Sequence, residues 1–199
     1  MLIRKLAILI VSISCFTILA NGWPWGEDSI SKIRLTWSED PSTTMKIIWD
    51  AGSTSGERQV LYYGDVDHGL NIDEYPSRAV VHKFTRFKSM YNAVIHLRDL
   101  NPGTKYYFVI RTTKGDLSKR YWFKTIEQND NARLSIIAGG DSRNNRTPRV
   151  AANKLVSKLR ADFVLFGGDM TNFDFSSQWK KWFLDWQHTI ASDGRITPI

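Results

Sequence analysis

The chain has 199 residues, of which 42% are hydrophobic and 24% charged, a composition that is typical of folded proteins and excludes a disordered or fibrous chain. Its formal net charge is +7, but the Lys and Arg residues are scattered along the whole sequence. A nucleic-acid-binding protein would gather them into a basic patch or stripe. We therefore expect no nucleic-acid partner.

Residues 1–22 have the pattern of a secretory signal peptide. A basic start precedes an apolar run over residues 6–20, and small residues precede a cleavage point after Gly22. The run is shorter than the roughly 20 apolar residues that a membrane-spanning helix needs. We predict a secreted or periplasmic protein that begins at Trp23 and has no membrane association after cleavage. The only cysteine, Cys15, would be removed, so the mature chain would have no disulfide bond.

Residues 28–126 alternate between apolar and polar side chains in short runs, which is the pattern of β-strands in a sandwich. An Asn-Pro-Gly turn at residues 101–103 comes just before a strand whose early Tyr106 can hydrogen-bond back across the corner. This arrangement is similar to the tyrosine corner of immunoglobulin-like sandwiches. The chain here resembles a fibronectin type III module. The predicted inward-facing residues are Trp37, Trp49, Tyr106 and Phe108.

After a polar linker at residues 127–131, the pattern changes to strands that alternate with helices. Two short apolar runs, residues 134–138 and 163–166, each end in Gly-Gly-Asp. One helix is predicted over residues 147–160 and a second from Ser176. The order βαβα predicts a parallel sheet covered by helices. We expect Val150, Leu155 and Leu159 of the first helix and Trp179, Trp182, Phe183, Trp186 and Ile190 of the second to face inward.

The two Gly-Gly-Asp segments predict where a functional site lies. In a right-handed βαβ unit both fall at the carboxyl edge of the sheet, where α/β proteins bind ligands. The carboxylates of Asp141 and Asp169 would repel each other there unless they shared a proton or a cation. Hard cations prefer such oxygen ligands, so both are candidate metal ligands. The alternative is that each Asp only caps a loop or a helix.

A fibronectin-like module followed by two strand–Gly-Gly-Asp–helix units resembles the purple acid phosphatase branch of the calcineurin-like metallophosphoesterases. The resemblance covers residues 28–199. It implies that Asp141 is a terminal ligand of one metal, that Asp169 bridges two metals, and that Asn172 supplies a weaker oxygen ligand. It also implies two divalent or trivalent metal ions (Fe, Zn, Mn or Mg) and a phosphoester substrate, most simply a phosphomonoester.

The sequence departs from the family pattern at three points. Asn172 stands where the family has the Tyr that colours its iron enzymes, so ferric iron would lose a phenolate ligand. Arg143 stands where the superfamily often has His or Gly, and its guanidinium could hold a phosphate oxygen bidentately or form a surface salt bridge. The later Asn-His and His blocks do not occur before Ile199. We therefore expect the amino-terminal part of a longer phosphoesterase, inactive or nearly so by itself.

These interpretations predict a signal peptide at residues 1–22, a sandwich at 28–126 and an incomplete metallophosphoesterase domain at 132–199. The fold class is multidomain β + α/β, in which a fibronectin III-like β-sandwich precedes the first βαβα portion of an α/β sandwich. A hypothesis of a different class stays open. It is a non-catalytic extracellular binding or adhesion protein with a degenerate phosphoesterase remnant.

Overall fold

The computed structural model describes residues 30–52 and 58–199. The predicted signal peptide and the mature start at Trp23 lie outside these residues, so export remains a prediction. Within the described ranges, none of the helices combines the length and the hydrophobicity that a membrane span requires.

Eight strands form two antiparallel sheets. In chain order they are β1 (Ser31–Thr36), β2 (Met45–Asp50), β3 (Val60–Gly64), β4 (Ser77–Val80), β5 (Phe84–Phe87), β6 (Met90–Leu97), β7 (Lys105–Arg111) and β8 (Tyr121–Lys124). One sheet has the order β1-β2-β6-β5 and the other the order β4-β3-β7-β8. Their inner faces share one hydrophobic core, so this part of the chain is a β-sandwich, as the alternating sequence pattern predicts.

The sandwich core takes alternate residues from facing strands. Trp49, Tyr106 and Phe108 are buried in it, which confirms three of the four predicted inward positions. Trp37 is only partly buried, because it lies just beyond the end of β1. Its ring meets Phe163 edge-on with 5.7 Å between centroids, so Trp37 also packs against the second part of the chain.

Tyr106 forms the predicted corner. Its hydroxyl accepts a hydrogen bond of 2.9 Å from the backbone N–H of Asn101. Between them Gly103 has φ +61°, a left-handed conformation that glycine adopts without strain. The hydroxyl of Thr125 accepts a second hydrogen bond from the Thr104 N–H at 2.9 Å. The turn before β7 is therefore tied to the end of β8.

Replacing Tyr106 with Phe should lower the free energy of unfolding by about 1 kcal/mol, because the ring stays packed while the Asn101 N–H loses its acceptor. Urea unfolding followed by fluorescence measures the change. Tyr91→Phe is the matched control, since its ring is exposed at the sandwich surface. An unfolding free energy that is the same in both variants would contradict a stabilising role of the corner.

The remaining strands, β9 (Ile136–Gly139) and β10 (Phe163–Phe166), pair in parallel with Phe163 opposite Ile136. Helix α1 (Arg146–Leu159) connects them and α2 (Ser176–Trp186) follows, close to the predicted ranges. Trp182 and Trp186 of α2 are buried and stack on each other at 5.1 Å. Their packing against Phe166 confirms that these two residues of the predicted tryptophan stripe belong to the core. Phe183 and Ile190 are half-buried and pack against the core clusters. Trp179 is half-buried, lies outside both clusters and meets Phe87 of β5.

The prediction for the inward face of α1 is wrong. Leu155 and Leu159 are 58% and 65% exposed, and Val150 is only half-buried. The buried face carries Arg149, Asn153 and Val156 instead. Two of these residues are polar, because the helix packs against a buried carboxylate of α2 rather than against apolar side chains alone.

Residues after α2 run along the sandwich and join the two parts of the chain. The Gln187 side chain donates to the Ile33 carbonyl and accepts from the Ile33 N–H, both at 3.0 Å. The register of β1 shifts at this point, so its backbone groups need a partner other than β2. Further on, the Ile199 N–H donates to the Leu35 carbonyl at 3.0 Å.

Candidate functional site

The two Gly-Gly-Asp segments lie side by side at the carboxyl ends of β9 and β10. The Gly167 N–H donates to the Gly139 carbonyl at 2.6 Å. A Cβ atom on Gly140 would lie 3.4 Å from three backbone atoms of Gly167, which is tighter than most such contacts. The lack of a side chain at Gly140 and Gly167 therefore lets the two backbones approach closely where the strands end.

The residues after the glycines adopt left-handed backbone conformations. The φ angles are +52° at Asp141, +38° at Arg143 and +51° at Asp169. Such angles cost a residue with a side chain about 1–2 kcal/mol, although Asp tolerates them better than most. Hydrogen bonds from the Asp141 N–H to Gly168 O and from the Arg143 N–H to Asp169 O offset this cost. Strain of this kind is concentrated at functional sites in proteins.

Asp141 and Asp169 converge on a single cation, the guanidinium of Arg143. Its Nε lies 2.5 Å from Asp141 Oδ1 and its Nη2 lies 2.7 Å from Asp169 Oδ2. The three side chains are more than half exposed, so a ligand from solvent can reach them. Hydrogen bonding to Asp141 and the charges of both carboxylates raise the pKa of Arg143 above its usual value. The guanidinium therefore remains cationic at every physiological pH.

The structure places the four predicted site residues differently. Asp141, Asp169 and Arg143 are brought together, whereas Asn172 lies in the exposed loop that follows Asp169. Within residues 30–52 and 58–199 the Asn172 side chain makes no hydrogen bond. Its role as a metal ligand stays a prediction.

The carboxylate oxygens of Asp141 and Asp169 are the type of ligand that a hard cation binds. Two carboxylates contact one guanidinium, and carboxylate oxygen suits Mg²⁺, Mn²⁺, Zn²⁺ and iron. Over the described part of the chain, no group of three or more His, Cys, Asp or Glu side chains is arranged to hold a metal. Asp141 and Asp169 would therefore be part of a larger ligand set.

A buried network fixes the loop that carries Arg143. The Ser142 hydroxyl accepts a hydrogen bond of 3.0 Å from Trp182 Nε1. The Arg143 carbonyl accepts one from the guanidinium of Arg149, which in turn donates to Asp185. The position of Arg143 therefore depends on residues of both helices.

Asp185 is the centre of this network. It is 1% exposed and receives hydrogen bonds of 2.6–3.1 Å from the guanidinium groups of Arg146 and Arg149. Burial raises its pKa, but the two arginines outweigh burial and hold the pKa below its usual value. Asp185 is not among the site residues that the sequence predicts. Two features of the sequence could have indicated its role. Asp185 is a carboxylate within the tryptophan stripe of α2, and α1 carries Arg149 and Asn153 four residues apart, on one face of the helix.

The turn between β5 and β6 reaches the loop after the second Gly-Gly-Asp. Lys88 Nζ forms a short ion pair with the Asp174 carboxylate and donates to the Asp174 carbonyl at 3.1 Å. Asp174 also accepts a hydrogen bond of 2.8 Å from Trp179 Nε1. The ring of Phe87 meets that of Trp179 edge-on at 5.7 Å. The sandwich therefore forms part of the surroundings of the site.

Residues 30–125 match the family model of the purple acid phosphatase N-terminal domain. This confirms the resemblance found in the sequence. No curated protein matches the chain.

Among solved structures, PhoD is similar with a TM-score of 0.58 and 10% identity, over 88% of this chain and 39% of PhoD. The chain thus shares a fold with about two fifths of PhoD, across the sandwich and the strand–helix part together. The sensor domain of the anti-sigma factor RsgI4 from Pseudobacteroides cellulosolvens matches 49% of this chain and 97% of its own length at 19% identity, with a TM-score of 0.32. The fn3 domain of human contactin 1 matches 52% of this chain and 82% of its own length at 14% identity, with a TM-score of 0.35.

Proposed function

We propose that this protein is the amino-terminal part of a secreted, metal-dependent phosphoesterase that hydrolyses phosphomonoesters. The observation that carries the proposal is the convergence of Asp141 and Asp169 at the ends of adjacent parallel strands, directly after a purple acid phosphatase N-terminal domain.

Asp141, Asp169 and Asn172 would hold part of a two-metal centre. When bound, such metals supply an activated water and neutralise the charge that develops on a transferring phosphoryl group. The carboxylates bind and orient the metals, while the backbone hydrogen bonds between the two loops keep the carboxylates together.

Arg143 would bind the substrate phosphate. A planar guanidinium offers paired N–H donors that match two phosphate oxygens. In the structure these donors contact the two carboxylates, so the guanidinium balances their negative charge. A metal cation bound to the carboxylates would balance that charge instead. Arg143 would then be free to donate to phosphate while remaining next to the metals.

The test is metal binding and hydrolysis by the protein as its natural host exports it, so that any sequence beyond Ile199 is included. Metal content and the hydrolysis of a chromogenic phosphomonoester are measured before and after chelation, and again after Mn²⁺, Zn²⁺ or iron is restored. We expect activity to be lost and regained together with the metal. Protein that is both metal-free and inactive would favour the alternative of a binding protein with a degenerate remnant.

Replacing Asn172 with Tyr should shift the metal preference toward ferric iron and introduce visible absorption, because a phenolate is a stronger ligand of iron than an amide oxygen. The measurement is an absorption spectrum of the iron-loaded protein. Phe173→Tyr is the control, since it places a phenol one residue away. If Asn172→Tyr stays colourless although iron is bound, position 172 is not a ligand.

A further inference from the structure

The turn between β5 and β6 has a backbone conformation that suits neither of its two residues. Phe87 pairs with Met90, so the turn consists of Lys88 and Ser89 alone. Both residues have positive φ angles, +48° and +60°. Two-residue hairpin turns with such angles favour Asn, Asp or Gly, which adopt them at little cost. Backbone strain that a protein retains is concentrated at functional sites, so the strained Lys88 indicates a role outside the hairpin.

Lys88 contacts the loop that joins Asp169 to α2. Its Nζ pairs with the Asp174 carboxylate and also donates to the Asp174 carbonyl at 3.1 Å. An exposed ion pair alone contributes little, but this ammonium holds the backbone of Asp174 as well. The neighbouring Phe87 ring packs edge-on against Trp179, whose Nε1 donates to the same carboxylate. The hairpin therefore fixes Asp174 through both its side chain and its backbone.

The other end of this loop is fixed without help from the sandwich. The Asp169 carbonyl accepts a hydrogen bond of 2.9 Å from the Arg143 N–H, and Met170 packs against the core cluster between the helices and the parallel strands. Asn172 lies between the two anchors, two residues before Asp174 and three after Asp169. Consecutive Cα atoms are about 3.8 Å apart, so the Cα of Asn172 lies within about 8 Å of that of Asp174. The contact with the hairpin therefore constrains Asn172, whereas Asp169 has its own support.

We propose that Lys88 is a positioning residue of the metal site and acts by holding Asn172. This inference rests on the proposed function, in which Asn172 supplies one of the metal ligands. It makes metal binding depend on a side chain of the sandwich, so the amino-terminal domain takes part in the phosphoesterase site. Residues that orient a metal ligand without touching the metal commonly change metal affinity by about 10–100-fold when they are replaced.

The experiment measures the dissociation constants of Mn²⁺ and Zn²⁺ by calorimetry for the exported protein and its variants. Lys88→Asn removes the ammonium and introduces a residue that tolerates the left-handed turn. We expect this variant and Asn172→Ala each to bind metal about tenfold more weakly. Because both substitutions act on one ligand, K88N/N172A should bind no more weakly than Asn172→Ala alone. Urea unfolding should show no loss of stability in Lys88→Asn, a result that separates positioning from a merely structural role.

Lys88→Arg keeps a cation next to Asp174 and should retain most of the metal affinity. Lys124→Ala is the matched control, since it removes another ion pair of the sandwich, with Glu127, and should bind metal as the wild type does. The inference is wrong if Lys88→Asn leaves both dissociation constants unchanged, or if its effect adds to that of Asn172→Ala. It is also wrong if Asn172→Ala binds metal as tightly as the wild type. In these cases metal binding by the wild type still supports the proposed function. A wild-type protein that binds neither ion contradicts the proposed function, and the inference with it.

Discussion

Replacing Asp185 with Ala should lower the free energy of unfolding by about 3–5 kcal/mol. The substitution would leave the guanidinium of Arg149, which is almost fully buried, without its carboxylate partner. An unpaired buried charge is among the most costly defects that one substitution can create. Urea unfolding, followed by the fluorescence of Trp182 and Trp186 beside the network, measures the loss.

Glu127→Ala is the control for this prediction, since it removes an exposed ion pair with Lys124. We expect that variant to change stability little, because exposed pairs are screened by solvent. If Asp185→Ala costs no more than Glu127→Ala, the buried network does not stabilise the fold.

The same carboxylate predicts a dependence of stability on pH. Burial raises the pKa of Asp185, but the hydrogen bonds and charges of Arg146 and Arg149 lower it below the value of about 3.9 in the unfolded chain. A carboxylate of this kind stabilises the fold fully above its unfolded pKa and loses that contribution as the pH falls through its folded pKa. Asp185→Asn should therefore unfold with a weaker acid dependence than the wild type below about pH 4.

Replacing Asp169 with Ala should abolish metal-dependent phosphoester hydrolysis and release at least one metal ion. The resemblance to purple acid phosphatases implies that Asp169 would bridge two metals, so its loss would remove the contact that holds them together. Asp141→Ala should retain more metal, with lower activity that is partly regained at high metal concentration. Metal content and chromogenic phosphate-ester hydrolysis, measured in parallel on the exported protein, separate the two variants.

The matched control is Asp130→Ala, an exposed carboxylate in the linker before β9. Both site variants should fold, because their carboxylates are exposed and each leaves Arg143 paired with the other one. Full activity in Asp169→Ala would contradict the phosphoesterase proposal. Equal metal loss in the two site variants would contradict the bridging role alone.

Local patterns in the sequence predicted the elements that a short stretch of residues determines. Alternation identified the strands of the sandwich, and the Asn-Pro-Gly turn before Tyr106 identified its corner. The two Gly-Gly-Asp segments predicted the convergence of Asp141 and Asp169 because parallel strands end at the same edge. Each of these signals reports a constraint that acts within a few residues.

The inward face of α1 could not be predicted in the same way. Apolar spacing selected Leu155 and Leu159, but the helix turns Arg149 and Asn153 inward because Asp185 lies opposite, 36 and 32 residues later in the chain. Similarly, the pairing of Arg143 with both carboxylates depends on how closely the two glycine segments approach. Long-range pairs of charged groups leave no periodic signal in one sequence.

The hydrogen bonds between Gln187 and Ile33 affect the order in which the chain acquires its structure. These residues are 154 positions apart, so the backbone of β1 at Ile33 gains its side-chain partner only after the chain has been synthesised as far as Gln187. At about 5–20 residues per second, translation takes on the order of 10–30 s to cover that separation. Until then β1 has hydrogen bonds to β2 alone, and the backbone groups at its amino-terminal end must hydrogen-bond to water. The amino-terminal end of the sandwich is therefore completed late, by residues that leave the ribosome long after β1 itself.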